Sequence, residues 1–84
     1  MRLVWERNAW EDYTYWQRED RKVLKRINQL IVETLRDPFE GIGKPEPLKY
    51  GAEGAWSRRI TQEHRLVYVV QENDLVILQV RYHY

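Results

Sequence analysis

Residues 55–84 read AWSRRITQEHRLVYVVQENDLVILQVRYHY, and this stretch decides the fold. Three runs rich in β-branched and aromatic residues, Ala55–Thr61, Arg65–Gln71 and Leu75–Tyr82, are separated by the polar links Gln62-Glu63-His64 and Glu72-Asn73-Asp74. Links this short join strands that turn back on one another, so the runs predict an antiparallel meander. Alternation then assigns faces. Trp56, Arg58 and Ile60 oppose Ser57, Arg59 and Thr61, while Leu66, Tyr68 and Val70 oppose Arg65, Val67 and Val69. In the last run Val76, Leu78, Val80 and Tyr82 form the apolar face, with Gln79, Arg81 and His83 on the other. If the apolar faces meet helices, Arg65, Arg81 and His83 cluster on the outside.

Working back toward the start, residues 38–47 hold all three prolines and two of the four glycines, the mark of a loop with a functional or shaping role. A short strand is expected around Leu48. Before the loop, Val23, Leu24, Ile27, Leu30, Ile31, Thr34 and Leu35 form one apolar stripe at helical spacing. Asp20 is placed to cap this helix, and Asp37-Pro38 ends it, because proline disfavours helical geometry in the residue before it. Asn8, with Glu11 three residues on, predicts a capping box and a helix from about Ala9 to Gln17 with Trp10, Tyr13 and Trp16 along one face. Arg2-Leu3-Val4-Trp5 is β-prone. The expectation is an α+β fold: an N-terminal strand and an antiparallel helical hairpin packed on an antiparallel β-sheet. Eighty-four residues leave room for a single domain, residues 1–84.

Composition narrows the function. Fourteen Lys/Arg against thirteen Asp/Glu leave a formal charge of +1, too little for loose wrapping of nucleic acid. The charge is unevenly placed, however. Residues 1–43 are balanced, whereas residues 44–65 carry Lys44, Lys49, Arg58, Arg59 and Arg65 against Glu46, Glu53 and Glu63. A local basic patch of this kind suits a phosphate ligand. Without cysteine there is no disulfide, thiolate nucleophile or zinc–thiolate site. No apolar run approaches a membrane span and no leader pattern opens the chain, so a cytoplasmic protein without a membrane partner is expected.

Three segments could carry chemistry: KPEPLK at 44–49, WSRRI at 56–60 and RYHY at 81–84. RNA is cut when its own 2′-hydroxyl attacks the adjacent phosphate. That step needs a base, cations for the extra charge on phosphorus and an acid for the leaving oxygen, and it requires no metal or cofactor. Glu46, held between Pro45 and Pro47, is a candidate base. Arg65, with Arg59 and Lys49, is suited to neutralise the phosphorane, since guanidinium matches phosphate oxygens in pairs. His83 is a candidate acid, and Tyr84 can stack on a base or orient the phosphate. Each residue alone also has an ordinary reading. Glu46 could be a solvated carboxylate, Arg59 and Arg65 surface residues paired with Glu53 or Glu63, and His64 a turn residue. Trp10, Tyr13 and Trp16 are expected in the core or at a dimer interface. The basic side of the second helix, with Arg21, Lys22, Lys25 and Arg26, reads as a wet face.

Taken together, KPEPLK, WSRRIT at 56–61, HRLVY at 64–68 and the terminal RYHY make the chain resemble the YoeB family of bacterial toxins in the RelE superfamily. The departure is YGAEGA at 50–55, where family members usually carry an Asn-Leu-Ser-Gly-aromatic run. The resemblance implies a RelE-like fold and a ribosome-dependent endoribonuclease, the toxin of a type II toxin–antitoxin pair, cutting mRNA in the A site of the bacterial ribosome. It implies Glu46 as general base, His83 as general acid, Arg65 as transition-state stabiliser, and Lys49, Arg59 and Tyr84 as RNA contacts. The partners it implies are a cognate YefM-like antitoxin, the ribosome, a second copy in a homodimer, and DNA only through the antitoxin complex. The rivals are a non-catalytic protein that blocks the A site and a DNA-binding co-repressor.

Overall fold

The computed structural model describes residues 1–82; His83 and Tyr84, two of the expected site residues, lie outside the described residues. The elements are β1 (Arg2–Trp5), α1 (Arg7–Glu19), α2 (Arg21–Arg36), β2 (Glu46–Pro47), β3 (Trp56–Arg59), β4 (Arg65–Gln71) and β5 (Asp74–Gln79). The strands form one sheet in the order β1-β5-β4-β3-β2. The β2–β3, β3–β4 and β4–β5 pairs are antiparallel, as the meander predicts, but β1 runs parallel to β5. The sheet is therefore mixed. Two successive helices carry the chain from β1 across one face of the sheet, and β1 fills the edge beside β5.

Local chemistry explains the helical hairpin. Asp20 Oδ1 accepts from the backbone N–H groups of Lys22 (3.0 Å) and Val23 (3.2 Å), while the Asp20 N–H closes α1 on the Trp16 carbonyl. One residue thus ends the first helix and caps the second. Tyr13 donates to Asn28 Oδ1 at 2.6 Å, tying the two helices together. The expected capping box is absent: α1 begins earlier, behind Glu6, with no side-chain cap. α2 ends before Asp37-Pro38 as expected.

The core lies between the hairpin and the sheet. Ala9 and Trp16 from α1 and Val23, Ile27, Leu30 and Ile31 from α2 pack on Ile60, Leu66, Tyr68, Leu75, Ile77 and Val80. Burying these side chains, each about 1.5–3 kcal/mol for a large aliphatic, sets which sheet face is dry against the helices. The face expected for the last strand needs correction. Leu75 and Ile77 point to the helices, with Val80 joining them beyond the strand end, rather than Val76 and Leu78. A register shift between Val67 and Tyr68 pairs them with Gln79 and Ile77, leaving Leu78 as the extra residue of a bulge. Strict alternation fails across it. The outer face is also apolar at its centre, where Val67, Val69 and Val76 are buried.

Candidate functional site

The outer face is assembled by register. Glu46 pairs with Ser57, Ser57 with Val67, and Arg59 with Arg65. Directly opposed residues project to the same side of a sheet. Glu46, Ser57, Arg59, Val67 and Arg65 therefore share the face turned away from the helices. The carboxylate and the two guanidinium groups come from three neighbouring strands.

β2 is two residues long and needs anchoring at both ends. Leu48 N–H donates to the Ala55 carbonyl (2.9 Å), and Arg59 N–H donates to the Gly43 carbonyl (2.6 Å). Gly43 has φ +82, and a Cβ there would stand 2.7 Å from Leu30 Cδ2 and 3.1 Å from Arg58 Cβ. Only glycine fits this crossing, and Lys44 follows it with φ 55. Pro45 and Pro47 then fix the backbone on either side of Glu46. Glu46 itself is exposed. It lines a hollow of about 480 Å³ together with Pro47, Leu48, Lys49, Tyr50 and Gly51. Arg59 and Arg65 line a second hollow of about 760 Å³ with Arg26, Thr61, Gln62 and Glu63. The carboxylate and the two guanidinium groups thus line separate hollows, and the strand register links them.

Arg65 is more constrained than a surface arginine. It is only 8% exposed, and Nη1 donates to three carbonyls of the β3–β4 link: Thr61 (2.7 Å), His64 (3.0 Å) and Gln62 (3.2 Å). Among the described residues its Nε and Nη2 make no hydrogen bond, and neither arginine pairs with Glu53 or Glu63. Arg59 is exposed, and its carbonyl accepts a long bond from Arg26 Nη2 (3.4 Å). Arg26 is thus half withdrawn from the wet face assigned to it.

Arg58, counted in the basic patch, belongs elsewhere. It projects to the helix side and is fully buried. Nε donates to the Tyr68 hydroxyl (3.2 Å), Nη1 to the Ile42 carbonyl (3.0 Å), and Nη2 to the carbonyls of Asp37 and Glu40, the latter at 2.9 Å. Tyr68 in turn donates to the Pro38 carbonyl. Burial holds the Tyr68 phenol above its ordinary pKa against the pull of Arg58, so it stays a donor. The pair gathers residues 37–42 and so carries the chain to Gly43 and Glu46. Its signal in the sequence was an arginine with Trp56 and Ile60 two positions either side.

Of the expected cluster of Arg65, Arg81 and His83, only the first two lie within the described residues. Arg81 stacks over the Tyr15 ring (3.5 Å) of α1 and the Tyr82 ring (4.5 Å). The backbone of Arg65 does meet the C-terminal segment, its N–H donating to the Tyr82 carbonyl (3.1 Å). Two groups that sequence reasoning passed over also reach this segment. Asp12 Oδ2 accepts from Val80 N–H (3.2 Å), and His64 Nδ1 accepts from Tyr82 N–H (2.7 Å). Burial raises the Asp12 pKa, while the Val80 bond and the nearby charge of Arg81 oppose the rise. No helix among the described residues is long and apolar enough to cross a membrane.

The family described as YoeB-like toxin of bacterial type II toxin-antitoxin system matches residues 5–84. The chain belongs to that family. Toxin YoeB of Escherichia coli K12 is 57% identical to it, with all of both chains covered. The structure of the YoeB/ParE toxin from Agrobacterium tumefaciens superposes with a TM-score of 0.96 at 51% identity, again over the whole of both chains. YoeB from Staphylococcus aureus has been solved as a dimer (TM-score 0.92, 46% identity) and in complex with YefM (TM-score 0.89, 45% identity), each match covering all of this chain and 98% of that one. This YoeB-like toxin thus has the RelE-like α+β fold of its family, and Glu46, Arg59 and Arg65 stand on the face of the sheet that its helices leave open.

Proposed function

We propose that this toxin is a ribosome-dependent endoribonuclease that cuts mRNA in the A site, in the cytoplasm, without a metal. The observation that carries the reading is the β2–β3–β4 register, which sets the Glu46 carboxylate on the same face as Arg59 and Arg65. Glu46 takes the proton of the 2′-hydroxyl, and the resulting oxyanion attacks the adjacent phosphorus. The bond to the 5′-oxygen breaks as His83 protonates it, leaving a 2′,3′-cyclic phosphate and a 5′-hydroxyl. Because the nucleophile belongs to the substrate, neither a metal hydroxide nor a covalent intermediate is needed.

Arg65 is the transition-state stabiliser. Nη1 anchors the guanidinium plane to the β3–β4 link, so the edge formed by Nε and Nη2 is the one a phosphorane would take as a bidentate partner. Preorganisation of this kind costs nothing at the moment of reaction, which is why such donors outweigh flexible ones. Lys49 and Arg59 hold flanking phosphates, and Tyr84 stacks on or orients the cut nucleotide. The ribosome supplies what the toxin lacks, namely a message held in one extended path. We further propose that a YefM-like antitoxin neutralises the chain, that the toxin forms homodimers, and that DNA is bound only through the antitoxin complex. The S. aureus assemblies support the first two.

Programmed ribosomes incubated with the toxin and a chelator test the reading. The expected product is one cut in the A-site codon with a 2′,3′-cyclic end, abolished by a 2′-deoxy nucleotide at the cut position and by Glu46→Ala or His83→Ala. Translational arrest with intact message would replace it by a non-catalytic block.

A further inference from the structure

We propose that His64 is a positioning residue whose neutral imidazole latches the base of the C-terminal segment, so that turnover requires His64 without its proton. The inference rests on the endoribonuclease reading, in which the two residues after Tyr82 act on the RNA.

The latch is built from the turn upward. Thr61 Oγ1 accepts from the N–H groups of Glu63 (3.2 Å) and His64 (3.1 Å), and the His64 carbonyl accepts from Ile60 N–H (3.0 Å) and Thr61 N–H (3.2 Å). The His64 backbone is therefore fixed. Its ring meets Trp16 edge-on at 4.8 Å, and Trp16 is itself held by its indole N–H on the Val80 carbonyl (2.9 Å). From this seat Nδ1 accepts the Tyr82 N–H at 2.7 Å. Arg65 N–H and Gln79 Nε2 hold the Tyr82 carbonyl, at 3.1 and 3.2 Å.

What is held is a strained residue. Tyr82 has φ 65, a left-handed conformation that a side chain disfavours. Such geometry persists only where its surroundings impose it. Each chain step spans about 3.8 Å, so fixing Tyr82 limits where the next two residues can reach.

The acceptor role sets a protonation state. An imidazole nitrogen that accepts a hydrogen bond carries no hydrogen; in the imidazolium both nitrogens donate. Protonated His64 would set one N–H against another and open the latch. Charge of both signs stands near it: Asp12 of α1 attracts the imidazolium, while the Arg65 guanidinium, bonded to the His64 carbonyl, carries a like charge. Histidine changes charge between about pH 5 and 8. The two histidines of the site thus have opposite needs, His83 charged to donate and His64 neutral to accept.

Two variants separate the latch from mere packing. His64→Asn keeps an acceptor near the Nδ1 position and cannot protonate, whereas His64→Phe keeps a ring against Trp16 and offers no acceptor. On programmed ribosomes at about pH 7.5, the expected kcat of His64→Phe is about tenfold below wild type with KM nearly unchanged, the loss of one net hydrogen bond. His64→Asn should stay close to wild type and should keep its activity to lower pH than wild type does. Exchange of the Tyr82 amide reads the latch without any cleavage: protected in wild type at the higher pH, released at the lower, and released at both in His64→Phe. Wild-type turnover in His64→Phe, or equal Tyr82 protection at both pH values, overturns the proposal. So does a parallel loss of activity and melting temperature in both variants, which would make His64 structural. Failure of wild type to cut any message removes the endoribonuclease reading instead, and the amide exchange still decides the latch.

Discussion

Arg58 and Arg59 are neighbours on β3 and could hardly be more differently employed. Arg58 turns toward the helices, is wholly buried, and spends its donors on the loop carbonyls of Asp37, Glu40 and Ile42 and on the Tyr68 hydroxyl. Arg59 turns outward, is exposed, and shares its face with Glu46 and Arg65. The contrast extends to whole faces of the sheet. On the helix side, charge is a structural device that shapes the loop; on the outer side it is the charge we propose for RNA. What separates them is the parity of a strand, not the residue type.

That division can be broken from either side. The largest effect is expected for Glu46→Ala, with cleavage falling by about 10³-fold, within the range of about 10²–10⁴ for a lost general base, and the melting temperature nearly unchanged; a matching loss of stability would show that Glu46 holds β2 in place. Arg58→Met should do the reverse. Carbonyls of Asp37, Glu40 and Ile42 lose their donor, and chemical denaturation should register a cost of about 3 kcal/mol, a drop in Tm of more than about 10 °C for a chain of this size. A stable Arg58→Met variant would place the loop's support elsewhere.

Arg65→Lys sits between the two faces, because Arg65 both grips the β3–β4 link and is proposed to meet phosphate. The charge survives and the fork does not, so single-turnover cleavage should slow by about 100-fold, with a small fall in Tm. The smallest effect is at the opposite edge, where Arg2 pairs with Asp74 at 2.8 and 2.9 Å and holds the Asp74 carboxyl below its ordinary value of 3.8. A lowered carboxylate contributes stability above that ordinary value and loses it as pH falls through the lowered one. Thermal melting should therefore weaken slightly on acidification below about pH 4, and Asp74→Asn should flatten that component without touching cleavage.

Much of this was legible before any coordinates. The Asp20 cap, the α2 stripe, the Asp37-Pro38 stop and the span of β4 follow from local patterns that the fold does not override. The strand β1 beside β5 was not, because parallel pairing across some seventy residues leaves no local mark. The inward residues of β5 were misassigned for a different reason: a bulge shifts the alternation, and the residues 75–78, LVIL, are apolar in both phases. Arg58 carried a usable signal in its apolar neighbours at 56 and 60, but its charge outweighed it. His64 carried none, since accepting one amide from the far end of the chain is a purely tertiary fact. For the candidate site, the motif singled out Glu46, Arg59 and Arg65, and the register supplied the reason they share a face.

The two prolines beside Glu46 have one more consequence. β2 is the sheet's margin, and its Leu48 amide already points inward to Ala55. Amides alternate along a strand, so those at 45 and 47 would aim outward, and at both positions proline supplies no hydrogen to offer. A wandering strand from another molecule finds no amide donor to pair with at these two positions. The border beside the carboxylate thus lacks the donors that accidental strand pairing would use.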